Sequence, residues 1–353
     1  MKNMYVCFTI IMLMSSALLC NASTRYTITL LSTNAPYNSA MKISNNGQIV
    51  GITSNFGSDN HAVLWNNGVM TSLEHFGSST APTAINSSGT IIVGKVKVSS
   101  TTNACLWKDG AQLDLGSIGG SYSCAFGVND QGTVVGYSLS QGAFLYTSST
   151  SIQNLSTILG RNVSSANDIN NLGQIVGKWY SNFTYRGFIY NGTTFRDLGK
   201  LPGGYDAEAI AINENGKIVG YALNEMSRNH AVLWDNYVIH DLGTLGGYNS
   251  FAKDINNSGT IVGLSQRSDG KDAAFVYENG HMTELNTLIP EYSGWMLSAA
   301  YGINDLGQIV GHGTYNGYSS AFLLTPVPEP SSIFALLCGI GGIGRVIWRR
   351  KSS

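Results

Sequence analysis

Charge is what this chain is shortest of. Asp, Glu, Lys and Arg make up 12% of its 353 residues, about half the ~25% usual for soluble domains. What charge there is sits unevenly. Five of the 20 basic residues and one of the 21 acidic ones lie in the two ends, 1–23 and 327–353, so the body between them carries about −5. A basic face for nucleic acid is therefore excluded. Proline is scarce, with 7 residues, three of them between 326 and 330. Cysteine is scarce too. Of five, Cys7, Cys20 and Cys338 lie in the apolar ends, leaving Cys105 and Cys124 in the body. Two isolated cysteines offer no metal-ligand spacing and are read as small buried residues. A disulfide between neighbouring strands stays open as the alternative. No long helical periodicity interrupts the middle of the chain, which argues against a helical or α/β fold.

Glycine fills the space that charge leaves, with 42 residues, and its placement is periodic. Seven copies of A-x-x-I-N-x-x-G-x-I-V-G carry their turn glycine at Gly47, Gly89, Gly132, Gly173, Gly216, Gly259 and Gly307, at spacings of 42, 43, 41, 43, 43 and 48. The clearest copy runs from Ala300 to Gly311. Asn favours the start of a type I turn, and Gly accepts the left-handed conformation that returns the chain to a strand. Each copy therefore predicts a β-hairpin.

Two further elements recur in phase. One is an Ala-apolar-apolar-aromatic run, as in Ala62-Val63-Leu64-Trp65 and Ala274-Phe275-Val276-Tyr277. The other is a strand of the Ile239-His240-Asp241-Leu242-Gly243 type. Together they give four strands per repeat, seven times. A four-stranded unit repeated at this period predicts a propeller blade. The body opens on Tyr26–Leu31 and ends just after Ala321-Phe322-Leu323-Leu324, so the last blade lacks a fourth strand that the first segment can supply. The fold expected for residues 24–325 is all-β, a seven-bladed β-propeller closed by its N-terminal strand. An extra residue in Ile91-Ile92-Val93-Gly94 predicts a β-bulge there, and the longer last interval, around Pro290–Met296, predicts an extended loop.

The ends differ in kind. Residues 1–23 carry Lys2, an apolar run from Val6 to Leu19, and Cys20-Asn21-Ala22 before Ser23, the pattern of an export signal peptide. Residues 326–332 form a Pro-rich linker. Residues 333–353 hold an apolar, Gly-rich segment expected to be a C-terminal helix, followed by Arg345, Arg349, Arg350 and Lys351. It is short for a permanent span. It is read as a transient inner-membrane anchor whose basic end stays cytoplasmic.

Chemistry is harder to find. Asp114, Asp197 and Asp241 recur at one point of the repeat and are read as turn or cap residues. Asp130, Asp168, Asp254 and Asp305 fall in or beside the hairpin and are read the same way. The six histidines include no pair at ligand spacing. No nucleophile elbow or phosphate loop is present. No catalytic, cofactor-binding or metal-binding residue is assigned. What varies between repeats is the link from the hairpin to the third strand, as in Lys178–Arg186 and Gly313–Ser319. These links present Trp179, Tyr180, Tyr185, Arg186, Tyr315 and Tyr318 as candidate ligand-binding residues on one face of the ring. An exported, non-catalytic binding or structural protein is the leading reading. An extracellular carbohydrate-acting hydrolase or lyase is the alternative. It requires two or more acidic or His side chains to converge in the central channel.

Val327-Pro328-Glu329-Pro330, the apolar stretch and the closing Arg349-Arg350-Lys351 resemble a PEP-CTERM sorting signal. That resemblance implies an exosortase-type enzyme as partner, cleavage near Pro-Glu-Pro, and an extracellular or cell-surface destination in bacteria that make extracellular polysaccharide. The body resembles the HAF family of extracellular repeats, carried by His61-Ala62-Val63 and His230-Ala231-Val232. That family implies an exported repeat protein, with no established catalytic activity to carry over, and the expected setting is the cell envelope or an extracellular biofilm matrix. Extracellular polysaccharide or an envelope protein is then the expected ligand.

Overall fold

A computed structural model describes residues 25–31, 37–54, 59–73 and 76–328. The expectations for the signal segment, for the apolar C-terminal helix, and for Glu329, Pro330, Arg349 and Arg350 lie outside these residues.

Each repeat folds as the hairpin grammar requires. In the clearest copy the Asn304 amide donates to the Gln308 carbonyl at 3.1 Å, and the Gly307 amide donates back to the Asn304 carbonyl at 3.0 Å. Gly307 sits at φ 72, and all seven turn glycines have positive φ. The 28 strands form seven four-stranded antiparallel sheets. Six blades are contiguous in sequence. The seventh has strands at Trp295–Ile303 (β26), Ile309–Tyr315 (β27) and Tyr318–Pro326 (β28), and its fourth strand is β1, Tyr26–Leu31. The register runs from Tyr26 opposite Pro326 to Leu31 opposite Ala321. The N-terminal strand therefore shuts the ring, as expected from the phase of the repeats. The sheet runs slightly past residue 325, and the Val327 amide still donates to the Arg25 carbonyl at 2.9 Å.

The first strand of each blade lies innermost, and these seven strands abut one another around a common axis. They are β2 (Tyr37–Ile43), β6 (Ser79–Ile85), β10 (Ser123–Val128), β14 (Val163–Ile169), β18 (Ala207–Ile212), β22 (Gly246–Ile255) and β26. Every one of them carries a β-bulge at the same place, at Met41, Thr83, Phe126, Asn167, Ile210, Lys253 and Tyr301. The glycine of Ile-Val-Gly on the second strand faces this bulge. A Cβ on Gly311 would collide with the Ala299 carbonyl oxygen, and the Phe322 ring packs against the same spot. The bulge also corrects one expectation. The additional residue in Ile91-Ile92-Val93-Gly94 does not open a bulge in its own strand. It lengthens the preceding turn, where the Thr90 and Ile91 amides both donate to Asn86 Oδ1 at 2.8 Å.

The core lies between neighbouring sheets. Trp65, Phe144, Phe188, Trp234, Phe275 and Phe322, one from the third strand of each of six blades, are fully buried. Cys105 and Cys124 are buried and not joined to each other. Burial pushes the Cys124 thiol up to about 12, so it behaves as a small apolar residue. The long last interval becomes a 3₁₀ turn at Leu285–Leu288 and a loop reaching Tyr292, which is 94% exposed.

The seam makes a direct prediction. Leu31 is buried among Ala40, Ile43 and Ala321, whereas its neighbour Leu30 is 39% exposed. Leu31→Ala is expected to cost about 2–4 kcal/mol in urea unfolding, and Leu30→Ala close to nothing. Equal effects would mean that β1 does not hold the ring shut.

Candidate functional site: the central channel

Consecutive residues on a strand normally point to opposite faces. A bulge breaks that alternation. Here it turns both variable positions of A-x-x-I-N toward the ring axis. The inner strands run from the face bearing the variable hairpins to the face bearing the Asn turns, so the repeat lines the channel in layers.

The outer layer is the bulged residue. Thr83, Phe126, Asn167, Ile210 and Lys253 line a cavity of about 570 Å³ that reaches down to Lys42 and Asp168. Ser164, Tyr137, Lys178, Tyr185 and Glu208 complete much of its wall. The next layer holds Lys42, Asp168 and Asp254, separated around the ring by the small residues Ala84, Gly127, Ala211 and Gly302. A Cβ on Gly127 would press on the Asp168 backbone, and one on Gly302 on that of Lys42. Below comes a buried apolar collar of Ile43, Ile85, Val128, Ile169, Ile212, Ile255 and Ile303.

The Asn turns close the far mouth. The Nδ2 groups of Asn129, Asn170, Asn213, Asn256 and Asn304 each donate to the main-chain carbonyl of the equivalent residue in the next blade, at 2.9–3.2 Å. Asn86 breaks the series, because in its enlarged turn Nδ2 is spent on Ser88 and Thr90. A second set of bonds joins the following residues. The Asp130 amide donates to Asn171, Asn171 to Glu214, Glu214 to Asn257, Asn257 to Asp305 and Asp305 to Asn45.

The charged groups in the channel are held differently from one another. Lys42 Nζ lies 2.7 Å from Asp254 Oδ1, and Asp254 Oδ2 accepts the Ile303 amide at 2.9 Å. Burial works against the Lys42 ammonium, but Asp254 and Asp168 overcome it, and its pKa rises. Asp168 accepts the amides of Ile169 and Ile212 at 2.9 and 3.0 Å. Burial outweighs those bonds and the nearby Lys42, and pushes its carboxyl up to about 6. Glu208 takes three donors, Lys178 Nζ at 2.9 Å, Asn167 Nδ2 at 2.9 Å and Tyr221 Oη at 2.6 Å. Lys253 has no hydrogen-bond or ion-pair partner among the described residues. Burial lowers its pKa despite the charge of Glu208.

These placements separate the residues singled out in the sequence. Asp114, Asp197 and Asp241 each accept the amide two residues on, at 2.8 Å, as turn residues do. Asp168 and Asp254 do not serve the turn. They face the channel, because the bulge redirects them. Asp130 and Asp305 serve neighbouring blades instead of their own turns: Asp130 accepts from Ser87, Ser88 and Asn171, and Asp305 from Asn45 and Asn257. Of the loop aromatics, Tyr185 reaches the cavity wall and pairs with Tyr180, their ring centroids 5.2 Å apart. Trp179 packs edge-on against Phe195, and Arg186 pairs with Asp197 at 2.9 Å. Tyr315 packs on Trp295, while Tyr318, at the hairpin tip, is 76% exposed. Lys42, Glu208 and Lys253 went unremarked in the sequence. The signal for two of them was present: Lys42 and Lys253 occupy the variable positions of an otherwise constant motif.

Comparison with known proteins bears on the ends and on the fold. Residues 326–351 match the PEP-CTERM protein-sorting motif. A PEP-CTERM motif implies an exported protein handled by an exosortase-type sorting enzyme. Residues 202–325, which span the last three blades apart from β1, match a family described as a protein of unknown function (DUF3466). No curated protein matches the chain in sequence. Among solved structures, the β-propeller domain of the Trilobed protease from Pyrococcus furiosus aligns at TM-score 0.52 and 10% identity, over 83% of this chain and 98% of that one. That domain is described as having an open velcro topology, whereas β1 and β28 close the ring here. An oligogalacturonate lyase in complex with manganese aligns at 0.52 and 11%, over 86% and 93% of the two chains. A puromycin-hydrolyzing peptidase of Mycobacterium tuberculosis aligns at 0.53 and 10%, over 88% of this chain and 56% of its own. At such identities the likeness establishes the propeller and nothing about chemistry. No helix among the described residues is long and apolar enough to cross a membrane.

Titration of Asp168 should be visible in stability. Its folded pKa, about 6, lies above the unfolded value of 3.8, so between those values the folded state binds the proton and the unfolded state does not. The contribution is fully present below pH ~4 and is lost as pH rises through 6, on the order of 2–3 kcal/mol. Denaturant titrations from pH 4 to 7 should show this slope, and Asp168→Asn should flatten it. Asp254→Ala removes the main partner of a buried ammonium and should cost about 3–5 kcal/mol.

Proposed function

We propose that this PEP-CTERM protein is an exported, non-catalytic propeller that binds polysaccharide of the cell envelope or extracellular matrix on the face where the large cavity opens. One observation carries this reading. Eight of the nine exposed aromatic residues among the described residues, Tyr180, Phe183, Tyr185, Tyr205, Tyr248, Tyr318, Phe76 and Tyr292, lie on hairpins or blade connections of the face that holds the 570 Å³ cavity, and Tyr237 lies on the opposite face. An amphipathic ring beside polar groups suits sugar, whose faces are apolar and whose edges donate and accept hydrogen bonds. The Asn, Ser, Thr and Lys side chains of the cavity supply the polar partners. The HAF-type runs fit the same placement outside the cell.

A carbohydrate-acting hydrolase or lyase is the second reading. It is kept by the convergence of Asp168, Asp254 and Glu208 on the channel. Binding is favoured because Asp254 and Glu208 are engaged by cations and amides and are poorly free to move a proton. Release of new reducing ends from a polysaccharide, abolished by Asp168→Asn, would replace binding with catalysis.

In the binding reading, a glycan array and matrix pull-down with the mature chain should retain polysaccharide. The Tyr180→Ala/Tyr185→Ala double variant should lose at least several-fold in retention with thermal unfolding unchanged. Retention of protein but no glycan, or indifference to both tyrosines, would overturn the reading. Mass spectrometry of the exported protein should find the start at Ser23 and the end near Pro328-Glu329-Pro330.

A further inference from the structure

The cavity is unevenly satisfied. Both of its carboxylates have donors, Glu208 three and Asp168 two main-chain amides. Two of its three lysines are paired, Lys42 with Asp254 and Lys178 with Glu208. The third, Lys253, is not. It stands at the bulged position of blade six, half-buried, with only the Phe251 ring at 5.5 Å. Glu208, the carboxylate whose charge it feels, already accepts from Lys178, Asn167 and Tyr221. Ser165 Oγ, on the same wall and 5% exposed as a residue, is also a buried polar atom without a partner. An ammonium withdrawn from water without an anion is costly. What the cavity lacks is therefore one acceptor bearing one negative charge for Lys253.

Resting on the carbohydrate reading above, we propose that the cavity takes an acidic sugar residue, a hexuronate unit whose carboxylate binds Lys253 Nζ. The Tyr185 ring and Phe126 offer apolar surface for the sugar face, and Thr83 and Asn167 offer partners for its hydroxyls. A single ammonium matches a monoanion. The neighbouring Glu208 and Asp168 carboxylates repel a doubly charged group, and so favour a carboxylate over a phosphate.

The test uses calorimetric titration of the mature chain. The probes are oligosaccharides containing glucuronate or galacturonate and the same oligosaccharides with their carboxyl groups reduced to alcohols. Charge-assisted hydrogen bonds in a shielded site are the strong ones, so the acidic form should bind roughly tenfold tighter or more. Lys253→Met, shown folded by an unchanged thermal transition, should erase that preference, so that the acidic and the reduced form bind alike. Equal binding of the two forms, or a preference that survives Lys253→Met, overturns the acidic-sugar inference and leaves glycan binding standing. Failure of both forms to bind overturns the two together.

Discussion

The site depends on a strand pairing made between residues almost 300 positions apart in sequence. When β1 pairs with β28, the last blade is completed, and seven inner strands are held around one axis. Without that seam the ladder of β28 would present an unpaired edge, and the inner strands of blades one and seven would not be forced together. The seam is held by main-chain bonds along its length and by burial of Tyr26 and Leu31.

Within the closed ring, the bulge does the local work. It costs each inner strand one ladder position. In return it sends two neighbouring side chains toward the axis where a regular strand would send one. The apolar collar and the Asn turns are nearly uniform around the ring, whereas the two layers above them are not. Uniform layers bind blade to blade. The non-uniform layers place a threonine, a phenylalanine, an asparagine, three charged groups and an unpaired ammonium around one space. A sevenfold scaffold thus acquires an asymmetric interior, and several of the residues that differ also bond the next blade, Asp168 to the Ile212 amide and Asp254 to the Ile303 amide.

Repetition explains both what was legible and what was hidden. The hairpins, the turn glycines and the seven-blade count follow from signals copied seven times, and a copied signal is hard to mistake. The role of Asp114, Asp197 and Asp241 was legible for the same reason. Asp168 and Asp254 were misread because hairpin chemistry explains an acidic residue near a turn. Only the bulge reveals that they face inward. Trp179, Arg186 and Tyr315 looked like ligand residues by type. In the fold they also meet Phe195, Asp197 and Trp295, each from another strand.

The linear order of residues was sufficient for the all-β class, the four-strand period, the seven-blade count, the offset that lets the first strand complete the last blade, and the sorting motif at the end. These are matters of local turn geometry and of counting, and they need no knowledge of what lies across the ring. The channel's chemistry was decided by tertiary structure alone. Lys42 meets Asp254, Glu208 gathers Lys178, Asn167 and Tyr221, and Lys253 is left over, because ring closure brings together side chains separated by whole blades. Whether a charge is paired or stranded is a property of that convergence, and no single repeat contains it.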